Sequence, residues 1–209
     1  MKLYTFPPAP SPQRVHMFLK EKGIEIPFEQ VDMMKQEQLS DTYKSVNPRG
    51  TLPALVLDDG TVISEVVAIC RYLDATYAEN PLHGADPTQQ ALVTEWDHRI
   101  EMECMMGIAE ALRNKGDAFK NRALPGPLDI EQIGELVPRG LKRIAAFFEV
   151  LDEQLATHQF VAGNSFSVAD ITAFVAVNFA SWVKMSVPDE LTHLKRWHAE
   201  VGKRPSTQA

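Results

Sequence analysis

Apolar and polar positions change period along the chain, and the changes predict two kinds of architecture. Residues 2–6 (KLYTF) predict a short strand, and the Pro-rich run 7–12 after it predicts a loop, because proline cannot donate to a sheet ladder. From residue 13 to 21 the spacing of Val15, Phe18 and Leu19 predicts a helix that stops at Gly23. Residues 28–32 predict a second strand with Phe28 and Val31 as its apolar positions. A short helix around 40–46 is cut off by Asn47-Pro48. Residues 52–64 hold two apolar runs split by Asp58-Asp59-Gly60, which predicts a hairpin, since Gly takes a positive φ without steric cost. Residues 65–77 then predict a helix with Val66, Ile69, Leu73 and Tyr77 on one face. A strand reached through a helix pairs most easily parallel to the first, whereas a hairpin is antiparallel.

Residues 79–87 (ENPLHGADP) carry no periodicity and predict a linker. Beyond it nothing reads as a strand. Long helices are predicted at 88–113 and 130–157, the second kinked at Pro138, with the loop 114–127 between them. Two more follow at 168–183 and 189–201. The expected organisation is therefore an α/β domain over 1–78, a linker at 79–87 and an all-α domain over 88–209.

Composition adds exclusions. With 44% hydrophobic and 23% charged residues, the 209-residue chain has the makeup of a folded globular protein rather than a disordered or repetitive one. The net charge is −7, and neither part has a basic excess: eight basic residues face ten acidic ones up to position 78, and thirteen face eighteen beyond it. Binding to nucleic acid through its phosphates has no electrostatic footing. Cys70 and Cys104 lie far apart without a CxxC spacing, and the six histidines form no HExxH, so neither a disulfide scaffold nor a metal site is expected. No apolar run reaches a membrane-spanning length, and MKLYTF is no secretory leader. A soluble cytoplasmic protein, with no membrane partner, is expected.

Four short segments could carry chemistry. Ser11, next to the start of a helix, can aim its hydroxyl and nearby N–H groups at an anion or thiolate, or simply cap the helix. NPRGTLP places Leu52-Pro53 at a loop-to-strand junction, where backbone can pair with an extended ligand. In ISEVVAI a helix starts after a strand, so its N–H groups suit a carboxylate and Glu65 suits an ammonium, unless Ser64 is a cap. Ser167-x-x-Asp170 reads as a capping box, worth about 0.5–2 kcal/mol as a cap alone. Met102, Met105 and Met106 recur at helical spacing, as core or as a wall for apolar ligands.

In this order, KLYTFPPAPSPQRVHMFLKEKGI, NPRGTLP, ISEVVAICRYL and FVAGNSFSVADI resemble the soluble glutathione transferase family, in its bacterial serine- or nu-like form, over essentially the whole chain. The resemblance implies a thioredoxin-like glutathione-binding N-terminal domain and an all-α C-terminal domain. It implies that Leu52 pairs its backbone with the cysteinyl part of glutathione, with Pro53 cis behind it. Glu65 and the N–H of Val66 would hold the γ-glutamyl end, and Gln38 and Thr51 would meet the glycyl carboxylate. Ser11 is the one Ser, Tyr or Cys after the first strand that could activate the thiol, although several serine and cysteine classes place that residue at what is here Ala9 or Pro10. Val66 also stands where the family usually has serine, so one hydroxyl to the γ-glutamyl carboxylate is missing. Pro10, Met102 and Met105 would line an electrophile pocket. The family further implies a homodimer formed along the helix of Trp96 and Arg99, with Asp97 or Glu101 reaching the partner's glutathione.

The implied chemistry is transfer of the glutathione thiolate to a small apolar electrophile, with glutathione as co-substrate and no metal. Alternatives are glutathione-dependent disulfide or peroxide reduction, or a non-catalytic interaction module on the same fold. A thiol of pKa about 8.5 is roughly 3% thiolate at pH 7. One hydrogen bond to the anion, about 1.5–3 kcal/mol, lowers that pKa by about one to two units. A Brønsted slope near 0.4–0.5 returns most of this as weaker nucleophilicity, leaving a gain of only about 2.5- to 4-fold. Positioning of the electrophile must supply the rest.

Overall fold

The strands of the N-terminal region assemble as one four-stranded sheet in the order β2-β1-β3-β4, in a computed structural model that describes residues 1–208. β1 (Lys2–Thr5) pairs parallel to β2 (Phe28–Gln30) and antiparallel to β3 (Ala54–Val56), which pairs antiparallel to β4 (Val62–Ile63). The parallel pair and the hairpin are those the sequence predicts. Leu3, Ala54 and Leu55 from the central strands are buried with Val15, Phe18, Ile69 and Leu73 from α1 (Pro10–Lys22) and α3 (Val66–Thr76). Between β2 and β3 lies the short α2 (Asp41–Lys44), capped by the Ser40 hydroxyl, which accepts the Tyr43 N–H at 3.2 Å. A buried ion pair ties the end of α1 to α3: Lys22 Nζ lies 2.8 Å from Asp74, and the two side chains are 1% and 7% exposed.

This unit comprises Met1–Glu79 together with Leu124–Ile130, a strap that returns from much later in the chain. The Pro-rich run is not all loop. α1 begins at Pro10, with Ala9 as its N-cap, because prolines 10 and 12 fall in the first turn, where the missing N–H would be unpaired anyway.

The second unit, Asn80–Ala123 and the chain from Glu131 onward, is helical. α4 (Pro87–Arg99) runs through a π-helical stretch, Ile100–Met105, into α5 (Met106–Arg113), where the sequence predicts one unbroken helix. Arg143 donates to the Met102 carbonyl in this stretch and reaches Glu110 at 2.9 Å. α6 (Leu136–Thr157) starts later than predicted, after turns closed on Ile133 and Gly134. Pro138 is therefore its third residue, inside the first turn, and the expected kink has no cause. α5 and α6 approach closely because both contacts are glycines: a Cβ on Gly140 would lie 2.4 Å from the Gly107 carbonyl.

α7 (Val168–Ala180) is buried along nearly its whole length and ends in a short 3-10 turn, and α8 (Thr192–Val201) closes the unit. The capping box forms, and its acid does more than cap. Asp170 Oδ2 accepts the Ser167 N–H at 3.0 Å and its hydroxyl at 3.1 Å. Oδ1 accepts the Val161 N–H and the Trp197 indole N–H, both at 2.9 Å. Asp170 thus joins the loop before α7 to α8. Burial pushes its carboxyl up to about 6, against four hydrogen bonds that favour the anion. Asp97 on α4 is buried and accepts the Thr172 hydroxyl at 2.6 Å, so it does not face outward to a partner as the sequence reading allowed.

Candidate glutathione site

The geometry gathers at the C-terminal edge of the loop that feeds β3. Leu52-Pro53 is a cis peptide, and Leu52 precedes β3 with neither its N–H nor its C=O hydrogen-bonded to any described residue. Its side chain packs with Val31 and Tyr43, against Tyr4, Phe6 and Met33. Neither group has a partner among the described residues, which leaves both open to water or a ligand. The loop before it is fixed from below. The Thr51 carbonyl accepts the Tyr43 hydroxyl at 2.7 Å and the Asn47 amide at 2.8 Å, while Asn47 Oδ1 accepts the Arg49 N–H at 3.2 Å. Burial pushes the Tyr43 phenol up to about 12, so it acts here as a donor and not as a base.

The strap closes the same loop. Gly126 has φ +103°, and a Cβ there would lie 3.0 Å from the Arg49 carbonyl; one on Gly50 would lie 3.8 Å from Pro127. Only a glycine lets the strap come this near in this backbone conformation.

α3 begins at Val66 with Glu65 as its N-cap, and no side chain caps it, so Ser64 is not the cap that the sequence left open. The first N–H groups of α3 are thereby free to meet an anion. Glu65 is exposed and makes one ion pair, to Arg49 Nη2 at 3.4 Å. Gln38 lies on a single 3-10 turn, Glu37–Leu39, and is 7% exposed, with its buried Oε1 lacking any hydrogen-bond partner. Ser11 sits in the first turn of α1, one residue past Pro10, half-buried. It is not a cap, and its hydroxyl has no partner among the described residues.

The structure thus places Ser11, Gln38, Thr51, Leu52, Pro53, Glu65 and Val66 in the first unit, and Pro10 beside Ser11. Met102 and Met105 belong to the second unit, in the π-helical stretch, where Met102 is exposed and Met105 half-buried. Both cysteines are buried and neither is in a disulfide, and burial pushes the Cys104 thiol up to about 12. Among the described residues no group of three or more His, Cys, Asp or Glu side chains could hold a metal ion, and no helix is long and apolar enough to cross a membrane.

A mixed sheet flanked by α1 and α3, followed by an all-helical unit, defines the thioredoxin-like plus all-α fold of the glutathione transferases. Comparison carries this to the family. A family model of the glutathione S-transferase N-terminal domain matches residues 9–76, and one of the C-terminal domain matches residues 102–205. The chain is 31% identical over 213 aligned residues to Glutathione S-transferase 2 of Saccharomyces cerevisiae, covering 100% of this chain and 88% of that protein. It is 32% identical to Protein LigF of Sphingobium sp., over 85% of this chain and 78% of that one. A solved glutathione S-transferase domain-containing protein of Marinobacter aquaeolei superposes with a TM-score of 0.89 at 34% identity, covering 100% of both chains. The chain belongs to the glutathione S-transferase family, and it is a transferase enzyme.

Sequence reasoning missed Tyr43, Asn47, Arg49 and the strap. Asn47 was legible, because Asn before Pro-Arg-Gly favours a turn in which its side chain accepts the N–H two residues on. The strap had no local signal.

Proposed function

We propose that the protein transfers the thiolate of glutathione to a small apolar electrophile. The observation that carries this reading is the unpaired N–H and C=O of Leu52 beside the uncapped start of α3. Leu52 pairs with the cysteinyl backbone of glutathione in this reading. The N–H of Val66 and the carboxylate of Glu65 take the γ-glutamyl carboxylate and ammonium. Gln38, whose buried Oε1 has no partner, offers its amide to the glycyl carboxylate with Thr51. The thiol so held loses its proton to solvent water, and the unengaged Ser11 hydroxyl donates to the resulting thiolate. The protein's own cysteines being buried, glutathione supplies the reacting sulfur.

Chemistry then needs only attack of that sulfur on an electrophilic carbon and departure of the leaving group. Pro10, beside Ser11, is the residue of the first unit that we assign to the electrophile. A homodimer in the cytoplasm completes the reading, and light scattering tests the oligomeric state. One second reading has a specific support: the solved LigF, a beta-etherase, superposes with a TM-score of 0.84 at 26% identity, which favours an ether-bearing electrophile.

The test is turnover of reduced glutathione with a panel of aryl halides, activated alkenes, β-ethers, disulfides and peroxides. Thioether products support the proposal. Glutathione disulfide as the sole product would make the enzyme a reductase, and no turnover of any compound would favour an interaction module.

A further inference from the structure

We propose that Arg49 reads the α-carboxylate of glutathione's γ-glutamyl end, in the place that Val66 leaves without a hydroxyl. The inference rests on the proposed glutathione site. The γ-glutamyl end carries a carboxylate and an ammonium on one carbon, so its natural complement is a cation beside an anion. Arg49 Nη2 and Glu65 Oε1 stand 3.4 Å apart, next to the uncapped start of α3. Glu65 faces the ammonium, and the guanidinium and the N–H groups of α3 face the carboxylate.

The pair is not there for stability. The two side chains are 69% and 64% exposed, and exposed ion pairs of this kind contribute little. At 3.4 Å the contact is also longer than a good charge-assisted hydrogen bond, so the fork of the guanidinium is still available to a carboxylate. The backbone that carries it is by contrast tightly held. The Arg49 N–H is bonded to Asn47, and its carbonyl is closed over by Gly126 of the strap. A rigid backbone under an exposed, loosely paired guanidinium is what recognition of a small anion requires.

The experiment is calorimetric titration of the full chain with glutathione and two analogues, one lacking the α-amino group and one lacking the α-carboxylate. Arg49→Gln is expected to weaken glutathione and the amino-free analogue roughly 10- to 100-fold, the worth of a charge-assisted hydrogen bond. Its affinity for the carboxylate-free analogue is expected to match that of the unaltered protein, and its thermal midpoint to stay unchanged. Adding Val66→Ser to Arg49→Gln should recover part of the loss, because the hydroxyl then meets the same carboxylate. Equal weakening of all three ligands, or of none, would overturn the role of Arg49. Failure of the unaltered protein to bind glutathione would instead overturn the site reading beneath it.

Discussion

Replacing Asp170 by alanine removes one acceptor group from four donors at once. Three of these, the N–H groups of Val161 and Ser167 and the indole N–H of Trp197, cannot turn elsewhere, whereas the Ser167 hydroxyl can rotate. Each buried donor left unpaired costs about 1–3 kcal/mol, so the loss begins at about 3 kcal/mol. Breaking a buried charged cluster typically costs about 3–5 kcal/mol, against about 0.5–2 kcal/mol for a lost helix cap. With a urea dependence of about 1–3 kcal/mol per molar, the unfolding midpoint should fall by at least about 1 M. Urea titration at pH 7, followed by tryptophan fluorescence, measures it. Ser167→Ala, which removes only the hydroxyl, should cost far less. A loss below about 2 kcal/mol for Asp170→Ala would refute the reasoning and reduce Asp170 to a cap.

The same carboxyl gives a pH dependence of definite sign. Its folded pKa is raised from 3.8 to about 6, so the fold holds the neutral form more tightly than the unfolded chain does. Its contribution to stability is fully present below about pH 4, falls as the pH rises to about 6 and is flat above that. At 1.36 kcal/mol per unit the span is about 3 kcal/mol. The stability of the unaltered protein relative to Asp170→Asn, which does not titrate, should therefore fall from pH 4 to 6; a rise would contradict it.

Asp74→Ala should cost about 3–5 kcal/mol, since it removes the carboxylate that the buried Lys22 ammonium meets at 2.8 Å, and pairing it with Lys22→Met should cost less in the same urea assay. Gly140→Ala should destabilise by about 1–3 kcal/mol despite alanine's better helix propensity, because the new methyl would sit 2.4 Å from the Gly107 carbonyl; a gain in thermal midpoint would contradict the close packing of α5 on α6. Ser11→Ala should raise the apparent pKa of bound glutathione by about one to two units and slow conjugation only a few-fold at pH 7, read from thiolate absorbance against pH. An unchanged pKa would move activation to another donor.

The fold was legible because its signals are local. Alternation and turn chemistry marked β1 through β4, and Gly23 marked the end of α1. Boundaries failed where a residue's meaning depends on its place in a helix: Pro10, Pro12 and Pro138 read as breakers but stand in first turns, where they cost nothing. The π-helical stretch 100–105 lies inside a run whose spacing reads as one helix, and its Met102 carbonyl accepts from Arg143 on α6. At the candidate site, Leu52, Glu65 and Gln38 announce themselves through motif position. Arg49 and Gly126 do not, since their proximity arises only when the strap folds back across more than seventy residues onto the first unit.

Calorimetric titration of the unaltered protein with reduced glutathione, alongside Leu52→Pro, which removes the Leu52 N–H, addresses the assignment of the site most directly. Saturable binding at one site per chain is expected for the unaltered protein, lost in a Leu52→Pro variant whose circular dichroism shows it folded. Absence of binding to the unaltered chain, or equal binding by the folded variant, would contradict it.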